Sequence, residues 1–137
     1  MISPDRLQTL TLTLPWPPSA NKIWRTVLIG KFPRVLLSRH GRRYRSDVEA
    51  AVLAQGGGLM IGELAIEIVL WPPDRRRSDI DNRVKPILDA LQHAGVYADD
   101  YAVVRLAVER REPVTDGRAQ VTIREVPDMD LFDRLES

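Results

Sequence analysis

The chain contains no cysteine. That excludes disulfide bonds, thiolate zinc sites and cysteine nucleophiles together, and it fits a reducing cytoplasm. Histidine is nearly as scarce. His40 and His93 are the only two, too far apart in sequence to suggest a metal site or a base, and neither is assigned a role. No apolar run is long enough to span a bilayer, and Met1-Ile2-Ser3-Pro4-Asp5 lacks the charged and apolar blocks of a signal peptide. A soluble cytoplasmic protein with no membrane partner is expected.

Acidic residues are missing from the first third. Between Arg6 and Ser46 there is no Asp or Glu, while Lys22, Arg25, Lys31, Arg34, Arg39, Arg42, Arg43 and Arg45 accumulate. Net charge is only +1, so the distribution of charge, not its total, favours a polyanionic partner. A solvated, salt-bridged surface would show the same run. The acids sit later, in a central cluster and in the tail residues Asp128, Asp130, Asp133 and Glu136.

At 137 residues the chain is most simply one domain, large enough for a core without disulfide staples. Residues 1–127 are expected to form it, with 128–137 as an acidic C-terminal tail. Residues 8–14 read as a half-buried strand, with Leu10, Leu12 and Leu14 alternating with threonines at period two, ended by Pro15 and the Pro17-Pro18 pair. Trp16 to Asn21 reads as a stiff turn. Trp24 to Ile29 and Val35 to Leu37 suit a hairpin around Gly30-Lys31-Phe32-Pro33. Ser38 is placed to cap a helix from about Gly41 to Gln55, stopped by Gly56-Gly57-Gly58.

Glu63 to Leu70 reads as a strand, and Asp81 as the N-cap of a second long helix reaching Ala94. Val84, Ile87, Leu88 and Leu91 supply its apolar stripe, and Pro86, in the second turn, either kinks its start or moves it later. Val103–Arg111 and Ala119–Val126 read as an antiparallel hairpin across the Pro113–Gly117 turn. Leu131, Phe132 and Leu135 suit a short amphipathic helix in the tail. The fold class is α+β, one mixed β-sheet with two main helices packed on it. The three tryptophans, Trp16, Trp24 and Trp71, sit at strand edges near prolines, where packing is the commoner use of an aromatic.

The chemistry concentrates between Asp74 and Asp100. Asp79 and Asp81 share one side if their segment is extended. Facing a third acid, they would form an oxygen-rich pocket that suits a hard cation such as Mg²⁺. Asp-x-Asp alone also occurs in turns, in glycosyltransferases and as a helix cap, which needs no metal. Lys85 follows Asp81 by one helical turn; it is either a surface ion pair or a cation set against charge building on a phosphate. Asp89 continues the face. Arg75, Arg76 and Arg77 sit on a loop beside these acids, as phosphate contacts or as a solvated loop.

These residues resemble the RusA family of Holliday junction resolvases. The likeness rests on Leu14-Pro15-Trp16-Pro17-Pro18-Ser19 with Asn21, on Pro73 to Asn82, and on Lys85, Asp89-Ala90-Leu91, Ala94-Gly95-Val96 and Asp99-Asp100. It runs from about Leu10 to Val126. It implies a homodimeric, Mg²⁺-dependent endonuclease cutting four-way junction DNA by paired symmetric nicks in recombination and repair. By that resemblance Asp79, Asp81 and Asp100 match metal-binding catalytic aspartates and Lys85 a catalytic lysine. Asn21 and the run Arg75, Arg76 and Arg77 match positions at the DNA face, and Lys22 and Arg25 of the basic first third are expected to join them there. Asp99 lies in the same motif. Three other readings stand beside this one: a catalytically silent junction-binding module, a Mg²⁺ nuclease acting on flaps or forks, and a capped α+β structural protein with surface ion pairs.

Overall fold

A computed structural model describes residues 7–127. The acidic tail and the helix anticipated within it lie outside the described residues. The elements run β1 (Thr9–Leu14), α1 (Ala20–Ile23), β2 (Trp24–Ile29), β3 (Phe32–Leu37), α2 (Arg39–Ala54) and β4 (Leu64–Trp71). After these come α3 (Asp81–His93), a 3₁₀ turn at Asp100–Ala102, β5 (Val103–Arg110) and β6 (Arg118–Glu125). The α+β expectation holds, with a mixed four-stranded sheet and two long helices.

Burial explains the strand order β1-β6-β4-β5. In β4, Leu64, Ile66, Ile68 and Leu70 are all buried, as are Ala119, Val121 and Ile123 of β6, so both strands take central places. Strand β5 keeps most of its side chains exposed and lies at the edge. It pairs with β4 in parallel, Leu70 opposite Arg110, while β6 pairs with β4 antiparallel. The anticipated β5–β6 hairpin is therefore incorrect. Helix α3 carries the chain from β4 to the parallel β5, and the connection to β6 then crosses the end of β4, where Val114 N–H donates to the Pro72 carbonyl at 2.9 Å. Gly117 closes that crossing at φ 67°; a Cβ there would stand 3.0 Å from Pro73 and from Trp16. Only glycine meets both demands.

Helix α2 starts as its sequence suggested. Ser38 Oγ accepts the Gly41 N–H at 3.1 Å and donates to the Lys22 carbonyl, so one hydroxyl caps α2 and ties it to α1. The short helix α1 occupies part of the segment expected as a turn. Its single turn is too brief for a periodic signal. The β2–β3 hairpin is present, with Phe32 and Pro33 inside β3 and only Gly30-Lys31 at the tip. Tyr44, Val48 and Val52 of α2 and Ile87, Ala90 and Leu91 of α3 join the inner residues of β1, β4 and β6 in one core. Burying each such aliphatic side chain contributes about 1.5–3 kcal/mol.

The start of α3 differs from expectation. Asp81 is its first helical residue and not its cap. Ile80 precedes it in a helical conformation, φ −64° and ψ −33°, with no side-chain cap bond. Backbone bonds form the entry instead, from Asn82 N–H to the Asp79 carbonyl at 3.2 Å and from Arg83 N–H to that of Ile80 at 3.0 Å. Pro86 lies buried inside a continuous helix and leaves the Asn82 carbonyl without its usual donor.

Candidate active site

Strands β4 and β5 are parallel, and the helix joining them begins beyond the carboxyl end of β4. Open sheets with such crossovers bind ligands at that end. Here the end gathers the Arg75–Arg77 loop, Asp79, Asp81 and the first turn of α3.

Lys85 is the hub. Its ammonium lies 3.0 Å from Asp89 Oδ1, one turn along the same helix, and 3.0 Å from Asp100 Oδ2 on the turn before β5. Hydrogen bonds to Asp100 first, then to Asp89, raise its pKa above the ordinary lysine value, so it stays charged. Asp99 has a different task. Its Oδ1 accepts the Tyr101 N–H at 3.0 Å, capping the 3₁₀ turn that presents Asp100. The other Asp100 oxygen, Oδ1, is buried and among the described residues accepts no hydrogen bond of ordinary geometry, although the Tyr97 hydroxyl lies close to this carboxylate. A buried acceptor without a donor is costly, and a cation would relieve it. Nearby, the Tyr97 hydroxyl donates to the Leu88 carbonyl at 2.6 Å, and burial, then Asp100, pushes that phenol up so that it remains protonated.

Asp79 and Asp81 are both exposed, and among the described residues neither carboxylate has a hydrogen bond or ion pair. The helical turn at Ile80 breaks the extended geometry expected of this pair, so period-two alternation does not align them. Among the described residues no three His, Asp or Glu side chains are gathered closely enough to hold a metal ion. The donor chemistry still suits a hard cation: two free carboxylates and one orphaned carboxylate oxygen. Mg²⁺ typically takes one or two protein carboxylates and completes its shell with water and phosphate oxygens.

A basic cavity of about 380 Å³ adjoins this end, lined by Arg75, Arg76, Arg77, Arg110 and Arg111. Arg75 pairs with Glu112 at 3.2 Å and Arg76 with Asp74 at 3.4 Å. Arg77 has no such partner among the described residues. Arg110 reaches the Ser78 carbonyl at 3.3 Å. Arg110 and Arg111 escaped sequence reasoning because an antiparallel β5–β6 hairpin would have carried them away from β4; the parallel register returns them. Asn21 and Lys22 of α1 and Arg25 of β2 are all exposed. Arg83, also unforeseen, is half-buried; its Nη1 donates to the Pro17 carbonyl at 2.8 Å and its Nε to Ser78 Oγ at 3.0 Å. Its carbon Cζ stands 5.1 Å from the Trp16 ring centre.

Comparison with known proteins identifies the family. The family model described as endodeoxyribonuclease RusA matches residues 15–124. A crossover junction endodeoxyribonuclease of Enterobacteria phage 82 is 38% identical over 123 residues, 88% of this chain and 98% of its own length. The crossover junction endodeoxyribonucleases of Escherichia coli K12 and Shigella sonnei Ss046 are each 37% identical over the same shares. A match across both sheet and site, at this identity, places the chain in the RusA family of endodeoxyribonucleases.

Proposed function

We propose that this protein is a Mg²⁺-dependent, structure-specific endodeoxyribonuclease that resolves four-way DNA junctions by paired symmetric nicks, acting in the cytoplasm as a homodimer. The observation that carries the reading is the Lys85 ammonium held between Asp89 and Asp100, one helical turn along α3 from Asp81. The names of the relatives support the junction as substrate.

Asp79, Asp81 and Asp100 would hold the metal ion. Bound there, Mg²⁺ would polarise a phosphoryl oxygen and supply a water of lowered pKa. Lys85 contributes a fixed positive charge where a phosphoryl or leaving oxygen gains negative charge. Asp89 keeps the ammonium in place when Asp100 is engaged elsewhere. The arginine loop and Arg110 grip backbone phosphates and set the register of the strand without reading its sequence. A four-way junction has near two-fold symmetry, so two copies related by a two-fold axis present one site to each opposing strand.

The test is turnover on labelled four-way junction, linear duplex, flap and fork DNA, with Mg²⁺ and with EDTA. Paired nicks in the junction alone, dependent on Mg²⁺, are the expected outcome. Junction binding without cutting indicates a silent module, and faster cutting of flaps or forks changes the substrate.

A further inference from the structure

Helix α2 opens against an electrostatic preference. Its first two turns carry Arg39, His40, Arg42, Arg43 and Arg45, and its first turn holds no acid. The start of a helix is the positive end of its dipole, where cations are unfavourable. Compensation is slight. Among the described residues the run has one ion pair, Arg43 with Asp47 at 4.0 Å, and one backbone contact, Arg42 to the Leu37 carbonyl at 2.8 Å. A concentration of charge that the fold does not neutralise is suited to a partner that does.

Beside this run lies a cavity of about 350 Å³, bounded by Trp16 and Pro17, by Lys22, by His40 and Arg43, and by Arg83. The β1–α1 loop, α1, α2 and α3 thus each supply part of the wall. Three permanently charged side chains and one histidine face a single carboxylate, Asp47, which Arg43 already engages. Arg83 is fixed in place by Pro17, Ser78 and Trp16, yet its Nη2 has no partner among the described residues. A guanidinium held rigid with donors to spare is a preorganised anion ligand. Through Ser78, Arg83 also joins this wall to the loop that presents Asp79.

We propose that this cavity seats a backbone phosphate of the substrate DNA, outside the scissile position, with Arg83 as the fixed donor and Lys22, His40 and Arg43 as the mobile ones. The inference rests on the reading of the protein as a nuclease of junction DNA. It extends the DNA face from the arginine loop, past the start of α3, to the first turns of α2. A free nucleotide or inorganic phosphate offers the same phosphate chemistry, and the test separates these sources from DNA.

The test uses the full chain and a His40→Ala, Arg43→Ala double variant, with binding measured in EDTA over a salt series. The variant's slope of log affinity against log salt is expected to be shallower by about 0.9, as when the protein neutralises one fewer phosphate. A neutral methylphosphonate at one position on the junction should weaken the parent but leave the variant unaffected, identifying the phosphate. The thermal midpoint should hold or rise, because cations have left the helix start; a purely structural role would lower it. Equal slopes, with no methylphosphonate coupled to the variant, would overturn the proposal. So would thermal stabilisation of the parent but not the variant by inorganic phosphate or a deoxynucleotide, without any change in DNA slope. If the parent binds duplex and junction alike, yet the slope difference persists, the phosphate seat is upheld and the junction reading fails alone.

Discussion

The Lys85 ammonium lies 3.0 Å from Asp100 Oδ2, while the other oxygen of that carboxylate is buried without a hydrogen-bond partner among the described residues. The lysine therefore satisfies only half of the carboxylate. Removing it in Lys85→Ala leaves Asp89 and Asp100 facing one another without their shared cation. Cleavage at saturating junction should fall by roughly 10²–10³, the scale for one preorganised electrostatic group, while the dissociation constant changes little. Single-turnover cleavage and a binding isotherm measure the two. An equal loss of both would reduce Lys85 to a phosphate anchor.

Gly41 is set by a close approach. A Cβ at this position would meet Leu37 Cδ1 at 2.7 Å and the Ile23 carbonyl oxygen at 2.8 Å. The backbone oxygen cannot yield without moving α1, which Ser38 also ties to α2. Gly41→Ala should therefore destabilise the fold by about 1–3 kcal/mol, the usual range for overpacking, despite the better helix propensity of alanine. Urea unfolding gives the value. An unchanged midpoint would mean that α1 is looser than the geometry indicates.

Tyr44 makes stability pH-dependent at the alkaline end. Its hydroxyl donates to the Pro15 carbonyl at 2.9 Å. Burial, and secondarily Asp47, pushes its pKa above the ordinary tyrosine value. The folded state then keeps a proton that the unfolded chain loses above about pH 10. The contribution is thus complete below that pH and is lost as pH rises toward the folded pKa. Tyr44→Phe should be less stable than the parent by about 1 kcal/mol at neutral pH. The gap should narrow above pH 10, because the variant no longer has this phenol to ionise. Chemical denaturation across pH 7–11 checks the sign.

Of the three consecutive arginines, Arg77 alone lacks an acidic partner among the described residues, since Arg75 and Arg76 are paired with Glu112 and Asp74. Arg77→Ala should weaken junction and duplex binding alike and reduce the salt slope by about 0.9. Loss of junction preference would instead give it a role in reading shape.

The readable elements were those whose pattern and boundaries coincide. Strand β1 alternates, β4 carries a continuous inner stripe, and α2 begins at a serine that caps it. The β5–β6 pairing was not readable from neighbourhood. Strands adjacent in sequence usually pair, and only the contrast between the buried stripe of β6 and the exposed side chains of β5 reveals that β4 lies between them. Asp81 was misread as a cap because Asp favours that role, whereas backbone carbonyls at Asp79 and Ile80 form the entry turn. Lys85 and Asp100 were recognisable as motif residues. Their contact needed the turn at Asp99, which local sequence does not determine. Arg83, Arg110 and Arg111 carry no motif signal; they enter the site's surroundings through the topology.

The central claim is that Asp79 belongs to the chemistry of junction cleavage and not to the architecture of the fold. It is exposed and unpaired among the described residues, so Asp79→Asn should leave the unfolding midpoint unchanged. The direct measurement is cleavage of a labelled four-way junction by this variant and the parent, with Mg²⁺ and with EDTA, beside a binding isotherm. The account predicts parental junction affinity with cutting abolished. Comparable cutting by the two proteins would contradict it.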